Sequence, residues 1–173
     1  MYPGNDIQGW MRPEELQWLY AMASKMASVV EIGSWKGRST HALLSAGARV
    51  VAVDTWKIVI QKHDPARAEI AFKANLAAFK KLTVLKMESL DAARQFRRRS
   101  VDMVFIDGNH AYEAILADIL AWRPKARKLI CGHDYKPSWP GVQRAVQEVF
   151  GKDFGVFKGI WFHHIKPGAK VPA

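Results

Sequence analysis

The sequence predicts an α/β fold whose central sheet is mostly parallel and doubly wound, with an antiparallel hairpin at its C-terminal end. Short β-branched runs recur along the chain, and each is followed by a stretch whose apolar residues repeat at helical spacing. This alternation is typical of parallel strands joined by crossover helices. The last two apolar runs have only residues 158–159 between them, which predicts a hairpin. We therefore expect a Rossmann-like, seven-stranded sheet.

The first half of the chain supplies three of these strands. Residues 1–12 hold turn residues and two large aromatics, so they form either an arm or a flap over a site. A helix covers residues 13 to about 25, because Pro13 suits a first helical position and Glu14 and Glu15 follow it. The next elements are a strand at 29–32, a helix from 38, a strand at 49–54, a helix at 66–80 after Pro65, and a strand at 82–86.

The second half supplies the remaining strands. A helix at 90–96 leads to an apolar strand at 101–106, and the next helix, at 111–122, is stopped by Pro124. The last parallel strand is expected at 128–132, before a helix at 141–150. Strands at 154–157 and 160–165 form the hairpin, where His163 and His164 are expected to be exposed. The strand order should bring the first, fourth and fifth strands together.

Composition and charge limit the class of protein. We expect residues 1–173 to form a single globular domain, with residues 1–26 as an N-terminal arm and covering helix. No apolar run approaches the roughly 20 residues that span a bilayer. The start does not resemble a signal peptide and Cys131 is the only cysteine, so we expect a cytoplasmic protein. The net charge of +10 favours acidic partners, with nucleic acid as a minority option, and the oligomeric state, including a homo-oligomer, stays open.

The turn after the first strand has the composition of a nucleoside-binding turn. Its glycines permit positive φ and leave room for a ligand, while the helix that follows directs free N–H groups towards an anionic group. The second strand ends in Asp54, about 20 residues after Gly33, where a carboxylate can accept hydrogen bonds from ribose hydroxyls. Glu31 suits a ligand that carries an ammonium group. Glu31, Gly33, Gly37 and Asp54 therefore indicate a nucleoside-binding unit.

Two further residues have two interpretations each. Trp56 follows Asp54 closely, so its ring could stack on an adenine, although a buried packing role is about equally supported. Ser89 follows the third strand, where its hydroxyl could reach the adenine edge. Ser89 could also be the N-cap of the helix at 90–96, which is the slightly better interpretation.

A second group of polar residues follows the fourth and fifth strands. Asp107 and His110 come after the fourth strand, and His133 and Asp134 come after the fifth. In an open α/β sheet, ligands bind beyond the carboxyl ends of the strands. Carboxylates and imidazoles grouped there can hold a divalent cation such as magnesium or manganese. Each residue alone could be a helix cap or a loop residue, but together they favour a site.

These motifs resemble those of class I S-adenosylmethionine (SAM) methyltransferases. The pattern Glu31-x-Gly33-x-x-x-Gly37-x-Ser39 resembles their first motif, whose turn holds the methionine part of the cofactor. The resemblance therefore implies that Ser34 and Ser39 also contact the cofactor. Residues 105–113, 132–135 and 141–146 are similar to a bacterial subgroup that includes O-methyltransferases of antibiotic-sugar pathways and, further off, metal-dependent catechol-type enzymes. The resemblance runs in order from about residue 29 to residue 150.

The resemblance implies roles for individual residues. Asp107 matches the first metal-ligand aspartate and Asp134 the second acid of the metal-dependent relatives, while Asp107 also borders the cofactor. His110 matches a histidine of the subgroup and is the candidate general base. His133 stands where those relatives carry an acid, so it is either a third metal ligand or an alternative base. The resemblance thus implies SAM, and leaves open Mg²⁺, another divalent cation, or a metal-free site.

The preferred function is O-methylation of a hydroxylated small molecule, such as a sugar or a polyhydroxylated ring. An RNA or protein methyltransferase is the alternative that the basic charge suggests. However, the Asn/Asp-Pro-Pro-Tyr/Phe segment of amino-methylating nucleic-acid enzymes does not follow the fourth strand. A third alternative is a SAM- or nucleotide-binding module without catalysis. In that case residues 1–12 or a partner subunit would have to close the site.

Overall fold

A computed structural model describes residues 3–57 and 64–166 of the chain. It contains seven strands: β1 (Ser28–Ile32), β2 (Arg49–Val53), β3 (Leu82–Leu85), β4 (Val101–Ile106), β5 (Ala126–Gly132), β6 (Gly155–Phe157) and β7 (Ile160–His164). Six α-helices accompany them: α1 (Pro13–Ala23), α2 (Arg38–Ser45), α3 (Pro65–Leu76), α4 (Ser89–Arg94), α5 (Tyr112–Trp122) and α6 (Pro140–Phe150). Within these described residues, no helix has the length and apolar character needed to cross a bilayer.

All seven strands belong to one sheet with the order β3-β2-β1-β4-β5-β7-β6. The strands from β3 to β5 are parallel, β7 is antiparallel to β5, and β6 is antiparallel to β7. The predicted Rossmann-like sheet with its C-terminal hairpin is therefore confirmed. The strand order reverses at β1, which lies between β2 and β4. The carboxyl ends of β1, β4 and β5 therefore meet at one edge of the sheet.

Helices cover both faces of the sheet. Apolar residues of α1, α2 and α3 pack on one face, around Leu19, Leu43 and Phe72. Residues of α4, α5 and α6 pack on the other face, around Trp122 and Val146. All six residues of β4 are buried, as expected for a central parallel strand that is covered on both sides.

Some predicted boundaries and exposures differ from the structure. Helix α3 ends at Leu76 rather than near residue 80, and the Phe79 ring then packs edge-on against His41. Strand β5 begins two residues earlier than predicted, after a 3₁₀ turn. The prediction that His163 is exposed is wrong, because β7 lies inside the sheet and the His163 ring stacks on Phe150 at 4.6 Å.

The N-terminal segment packs against the start of α2. The Arg38 guanidinium donates hydrogen bonds to Met11 O at 2.9 Å and to Asn5 O at 3.0 Å. The Trp10 ring contacts the Trp35 ring with a centroid distance of 4.3 Å. The sequence left open whether residues 1–12 form an arm or a flap over a site. In the structure, the described part of this segment covers the turn after β1.

Candidate active site

The turn between β1 and α2 requires both of its glycines. Gly33 has φ +84°, and a Cβ there would lie 2.2 Å from the carbonyl oxygen of Asp107. Gly37, the N-cap residue of α2, has φ +87°, and its Cβ would lie 2.9 Å from a Leu76 methyl group. Side chains are therefore excluded by conformation and by contact. The close approach of Gly33 to Asp107 also brings the turn after β1 against the end of β4.

Glu31 is a fully buried carboxylate at the end of β1. The Ser34 hydroxyl donates to Glu31 Oε2 at 2.8 Å, and the Thr40 hydroxyl donates to the same oxygen. Glu31 Oε1 is buried and has no hydrogen-bond partner among the described residues. Burial raises the pKa of Glu31 to about 7, although the nearby hydroxyls of Ser39, Thr40 and Ser34 act to lower it. This oxygen is an acceptor that a positively charged ligand group would satisfy.

Asp54 binds the same turn through its carboxylate. Its Oδ2 accepts the backbone N–H groups of Ser34 at 2.8 Å and Trp35 at 2.9 Å. Its Oδ1 accepts the backbone N–H of Trp56 at 2.8 Å. A carboxylate has about four acceptor positions, so one remains for another donor. Asp54 thus has a structural role that was not predicted, and its contact with ribose stays a prediction.

Trp56 and Ser89 make contacts within the protein. The Trp56 side chain is 8% exposed, and its ring packs on Phe72, so the structure adopts the packing interpretation of this residue. Ser89 is the first residue of α4 and not its N-cap, so the N-cap interpretation is wrong. The Ser89 hydroxyl instead accepts a hydrogen bond from the Trp122 indole at 2.8 Å. Adenine contacts from Trp56 and Ser89 stay predictions.

The polar residues after β4 and β5 meet as expected. Asp107, His110 and Asp134 each present one potential ligand atom, and these three atoms lie within 4.8 Å of one another. His110 Nε2 contacts Asp134 Oδ2. His133, which was predicted as a ligand or base, lies outside this group of three but directly beside it. Its Nδ1 is 3.6 Å from Asp107 Oδ1 and 3.4 Å from Asp134 Oδ1.

The environment of His133 favours its protonated form. Its side chain is only 4% exposed, and its Nε2 lies 3.2 Å from Oε2 of Glu15 in α1. Burial alone would lower the pKa of His133, but the surrounding carboxylates of Asp107, Asp134 and Glu15 raise it to about 12. The pKa of Asp134 is lowered far below its ordinary value by His110, His133 and Lys136, which outweigh its burial.

Two residues of this cluster were missed by the sequence interpretation, which treated Glu15 only as a first-turn acid. Glu15 is 4% exposed, and its Oε1 accepts the backbone N–H of Gly159 at 3.1 Å. A signal was present, because Glu15 lies four residues before Leu19 on the apolar face of α1. Trp139 stacks on the His110 ring at 4.3 Å with 21° between the planes, and nothing in the sequence indicated this contact.

The atoms that could bind a divalent cation already make ionic contacts within the protein. Two carboxylates and one imidazole are chemically suitable ligands. However, Asp134 already contacts three basic groups, including the Lys136 ammonium. His133 Nδ1 also lies within 3.6 Å of both carboxylates. The ionic contacts within the protein thus already balance the negative charge that would attract a metal ion.

Solved structures of methyltransferases share this fold. The match to the O-methyltransferase from Bacillus cereus in complex with S-adenosylhomocysteine has a TM-score of 0.67 at 18% identity, over 91% of this chain and 83% of that chain. The match to TomG from Streptomyces achromogenes, in complex with SAM, has a TM-score of 0.65 at 16% identity, over 91% and 82%. SAH-bound PaMTH1 from Podospora anserina matches with a TM-score of 0.67 at 12% identity, over 91% and 80%. Comparison with curated protein sequences gives no match.

The strand order and the glycine turn against the end of β4 define a class I SAM-dependent methyltransferase. Residues 30–135, more than half of the chain, match the family model described as a methyltransferase domain. The chain belongs to this family. The matched residues run from β1 to the loop after β5, so they include the turn after β1 and the cluster of Asp107, His110, His133 and Asp134.

Proposed function

We propose that this methyltransferase transfers the methyl group of SAM to a hydroxyl group of a small molecule, such as a sugar or a polyhydroxylated ring. The observation that carries the proposal is the pairing of His110 with Asp134 beside the cofactor turn. The Bacillus cereus and Streptomyces achromogenes proteins with this fold are both O-methyltransferases, which agrees with this chemistry. The sequence resemblance to the antibiotic-sugar subgroup suggests the class of acceptor.

The cofactor would lie along the ends of β1, β2 and β4. Glu31 Oε1 would accept the ammonium group of the methionine part, because this buried oxygen has no hydrogen-bond partner in the part of the chain that the structure describes. The N-terminus of α2, opened by Gly37, presents free N–H groups for the carboxylate of that part. Asp54 would use its remaining acceptor position for a ribose hydroxyl. Bound SAM supplies a methyl group on a sulfonium, which is an electrophile that needs only a well-placed nucleophile.

His110 is the general base in this proposal. A hydroxyl is a poor nucleophile until a base takes its proton, and a histidine can do so near neutral pH. Because Nε2 of His110 contacts Asp134, its Nδ1 is the atom that would take the proton. Asp134 would orient the ring and stabilise the imidazolium that forms, as carboxylates do in acid–histidine pairs. The stacked Trp139 ring restricts rotation of His110 further.

His133 suits a different role from that of a base. It is buried, and the carboxylates of Glu15, Asp107 and Asp134 around it favour its protonated form. A base must lose its proton before it can act, and the charge of these neighbours opposes that loss. In our proposal, His133 holds Asp107 and Asp134 in position, and Glu15 holds His133.

The basic charge of the chain gives less support to an RNA or protein acceptor. The densest basic residues lie in the connections at the amino ends of the parallel strands, at the opposite end of the sheet from His110. A macromolecule bound there would not present its acceptor group to the base. A small molecule is therefore the acceptor class that we prefer.

A screen of hydroxylated acceptors with labelled SAM, followed by kinetics of His110→Ala, tests the proposal. We expect the substitution to lower kcat by about 10²- to 10⁴-fold, the usual contribution of a general base, with the Kd for SAM unchanged. His164→Ala, which changes an exposed histidine of β7, is the matched control and should retain full activity. EDTA should leave turnover unchanged. Full activity of His110→Ala would remove His110 from the base role, and loss of activity in EDTA would contradict the metal-free mechanism.

A further inference from the structure

The amino ends of the five parallel strands form a strongly basic edge. We define the basic edge as residues 24–28, 46–49, 77–81, 95–100 and 123–128, which lead into β1, β2, β3, β4 and β5. These residues include 11 lysines and arginines and no aspartate or glutamate. The basic residues are Lys25, Arg49, Lys80, Lys81, Arg97, Arg98, Arg99, Arg123, Lys125, Arg127 and Lys128. Eight of the 11 residues are exposed and three are half-buried.

This edge accounts for the positive charge of the whole chain. The remaining 15 lysines and arginines are matched by the 16 aspartates and glutamates of the sequence, against a net charge of +10. Solubility depends on the net charge of a protein and does not require that the positive charges lie at one end of the molecule. A field of one sign, concentrated on one face, attracts polyanions and speeds their association.

The five connections form a continuous row. Arg49 N donates to Ala27 O at 3.1 Å, and Val50 N donates to Lys81 O at 2.9 Å. On the other side of β1, Lys128 Nζ lies 3.5 Å from Lys25 O. The row continues to the connection before β4, where Arg99 N donates to Pro124 O at 2.9 Å. Since neighbouring strands are about 4.8 Å apart, five strands give a row roughly 20 Å long.

The carboxylate of Asp102, which lies beside this row of connections, points into the protein. Asp102, at the start of β4, has a side chain that is 3% exposed. It accepts the backbone N–H of Ala27 at 2.8 Å and pairs with Arg127 at 2.9 Å and Lys128 at 3.4 Å. This carboxylate therefore fixes two cations at the edge while its own charge is withdrawn from solvent.

We propose that the basic edge binds the phosphate backbone of a nucleic acid, independently of the proposed methyl acceptor. A row roughly 20 Å long corresponds to about six base pairs at 3.4 Å each. No large apolar side chain of the edge is exposed, so the edge has nothing to insert into a bilayer. Its two aromatic residues pack inside the protein, Phe79 against His41 and Phe96 against Trp122, so contact is with phosphates and not through base stacking.

Binding of a labelled duplex of about 20 base pairs, measured by fluorescence anisotropy over a range of salt concentrations, tests the proposal. We expect the logarithm of the affinity to fall linearly with the logarithm of salt, with a slope of about −3 or steeper. The double substitution Arg49→Glu with Arg97→Glu should weaken binding at least about tenfold and reduce the slope by about 2. Arg67→Glu with Lys73→Glu, two exposed residues of α3 outside the edge, changes the charge equally and should bind within about twofold of the parent protein.

Binding of SAM by each variant checks that it is folded, because the cofactor turn lies at the other end of the sheet. Vesicles of anionic phospholipid at the same phosphate concentration test the alternative partner. The proposal is overturned if the edge variant binds the duplex like the parent, if the α3 variant weakens binding equally, or if vesicles bind more tightly than the duplex.

Discussion

Glu31 is the residue at which burial and charge oppose each other most strongly. Its carboxylate is fully buried, its pKa is raised to about 7, and one of its oxygens has no partner among the described residues. Near neutral pH the free protein therefore holds this group partly protonated. A ligand ammonium would favour the ionised form, because opposite charges in a buried site attract strongly.

Binding of SAM should therefore depend on pH below neutrality. Below pH 7, Glu31 must lose its proton before it can pair with the ammonium group, so we expect affinity to rise by up to about tenfold per pH unit between pH 5.5 and pH 7. Glu31→Gln should abolish this dependence and weaken binding at pH 7.5. Isothermal titration calorimetry at several pH values measures both effects.

Adenosine is the control ligand, since it lacks the amino-acid end of the cofactor. Its affinity should be independent of pH over the same range and the same in Glu31→Gln. A SAM affinity that does not change between pH 5.5 and pH 7 would show that Glu31 does not contact the ammonium group.

Several site residues were predictable singly, because each lies at or just beyond the end of an apolar strand. Glu31 is the penultimate residue of β1, and Gly33, Asp54, Asp107 and Asp134 come within two residues after a strand ends. What each side chain contacts was less predictable. Asp54 binds backbone N–H groups of the turn, and His133 pairs with Glu15, which is 118 residues away in sequence. No local pattern encodes such a long-range pair.

At the level of elements, a partly buried hydrogen-bond chain joins α4 to α5. The Ser89 hydroxyl accepts from Trp122 and lies against the Asp118 carboxylate, which is 7% exposed. Burial raises the pKa of Asp118 to about 6, in spite of the Ser89 hydrogen bond. The protonated form of Asp118 is thus the one that this helix interface favours.

Asp118 should make the protein less stable as pH rises. An unfolded aspartate has a pKa of about 3.9, so between about pH 4 and pH 6 the folded state binds a proton that the unfolded state has lost. The free energy of unfolding of the parent should therefore fall by about 2 kcal/mol between pH 4 and pH 6 because of Asp118. In Asp118→Asn this fall should be absent. Urea denaturation from pH 4 to pH 8 measures the difference.

Glu113→Gln on the exposed face of α5 is the matched control and should keep the pH dependence of the parent. An unchanged pH dependence in Asp118→Asn would mean that Asp118 ionises normally in the folded protein.

The elements themselves were largely predictable, since every helix and strand of the structure corresponds to an expected one. Boundaries failed where tertiary contacts decided them. Helix α3 ends before Phe79, which packs on α2, and no glycine or proline marks that end. His163 was placed on the surface because the sequence does not reveal that β7 enters the sheet between β5 and β6.

At the scale of the whole molecule, Asp102 links three strands at the end of the sheet opposite the active site. From its position in β4, its carboxylate accepts a hydrogen bond from Ala27, just before β1, and forms ion pairs with Arg127 and Lys128 of β5. Burial alone would raise the pKa of Asp102, but Ala27 N–H, Arg127 and Lys128 lower it below its ordinary value. Its contribution to stability is therefore present above about pH 4 and is lost as pH falls through the lowered pKa.

Asp102→Asn should destabilise the protein by about 2 kcal/mol at pH 7, because two basic groups lose their buried partner. The difference from the parent should shrink as pH falls below about 4, where Asp102 of the unfolded parent takes up a proton while the lowered pKa keeps the folded carboxylate ionised. Asp153→Asn, which changes an exposed acid that pairs with Lys166, should cost less than about 1 kcal/mol. Chemical denaturation at pH 7 and pH 3 compares the three proteins, and an equal cost of both substitutions would contradict the assigned role.

The partnerless oxygen of Glu31 also has a consequence for turnover. In our proposal it recognises the amino-acid end of the cofactor, which methyl transfer leaves chemically unchanged. S-adenosylhomocysteine therefore keeps this contact after the reaction, together with any contact to its ribose, and departs only as fast as they break. Accumulated S-adenosylhomocysteine would then compete with SAM for the same binding site. Sustained catalysis would therefore rely on a second enzyme that consumes S-adenosylhomocysteine.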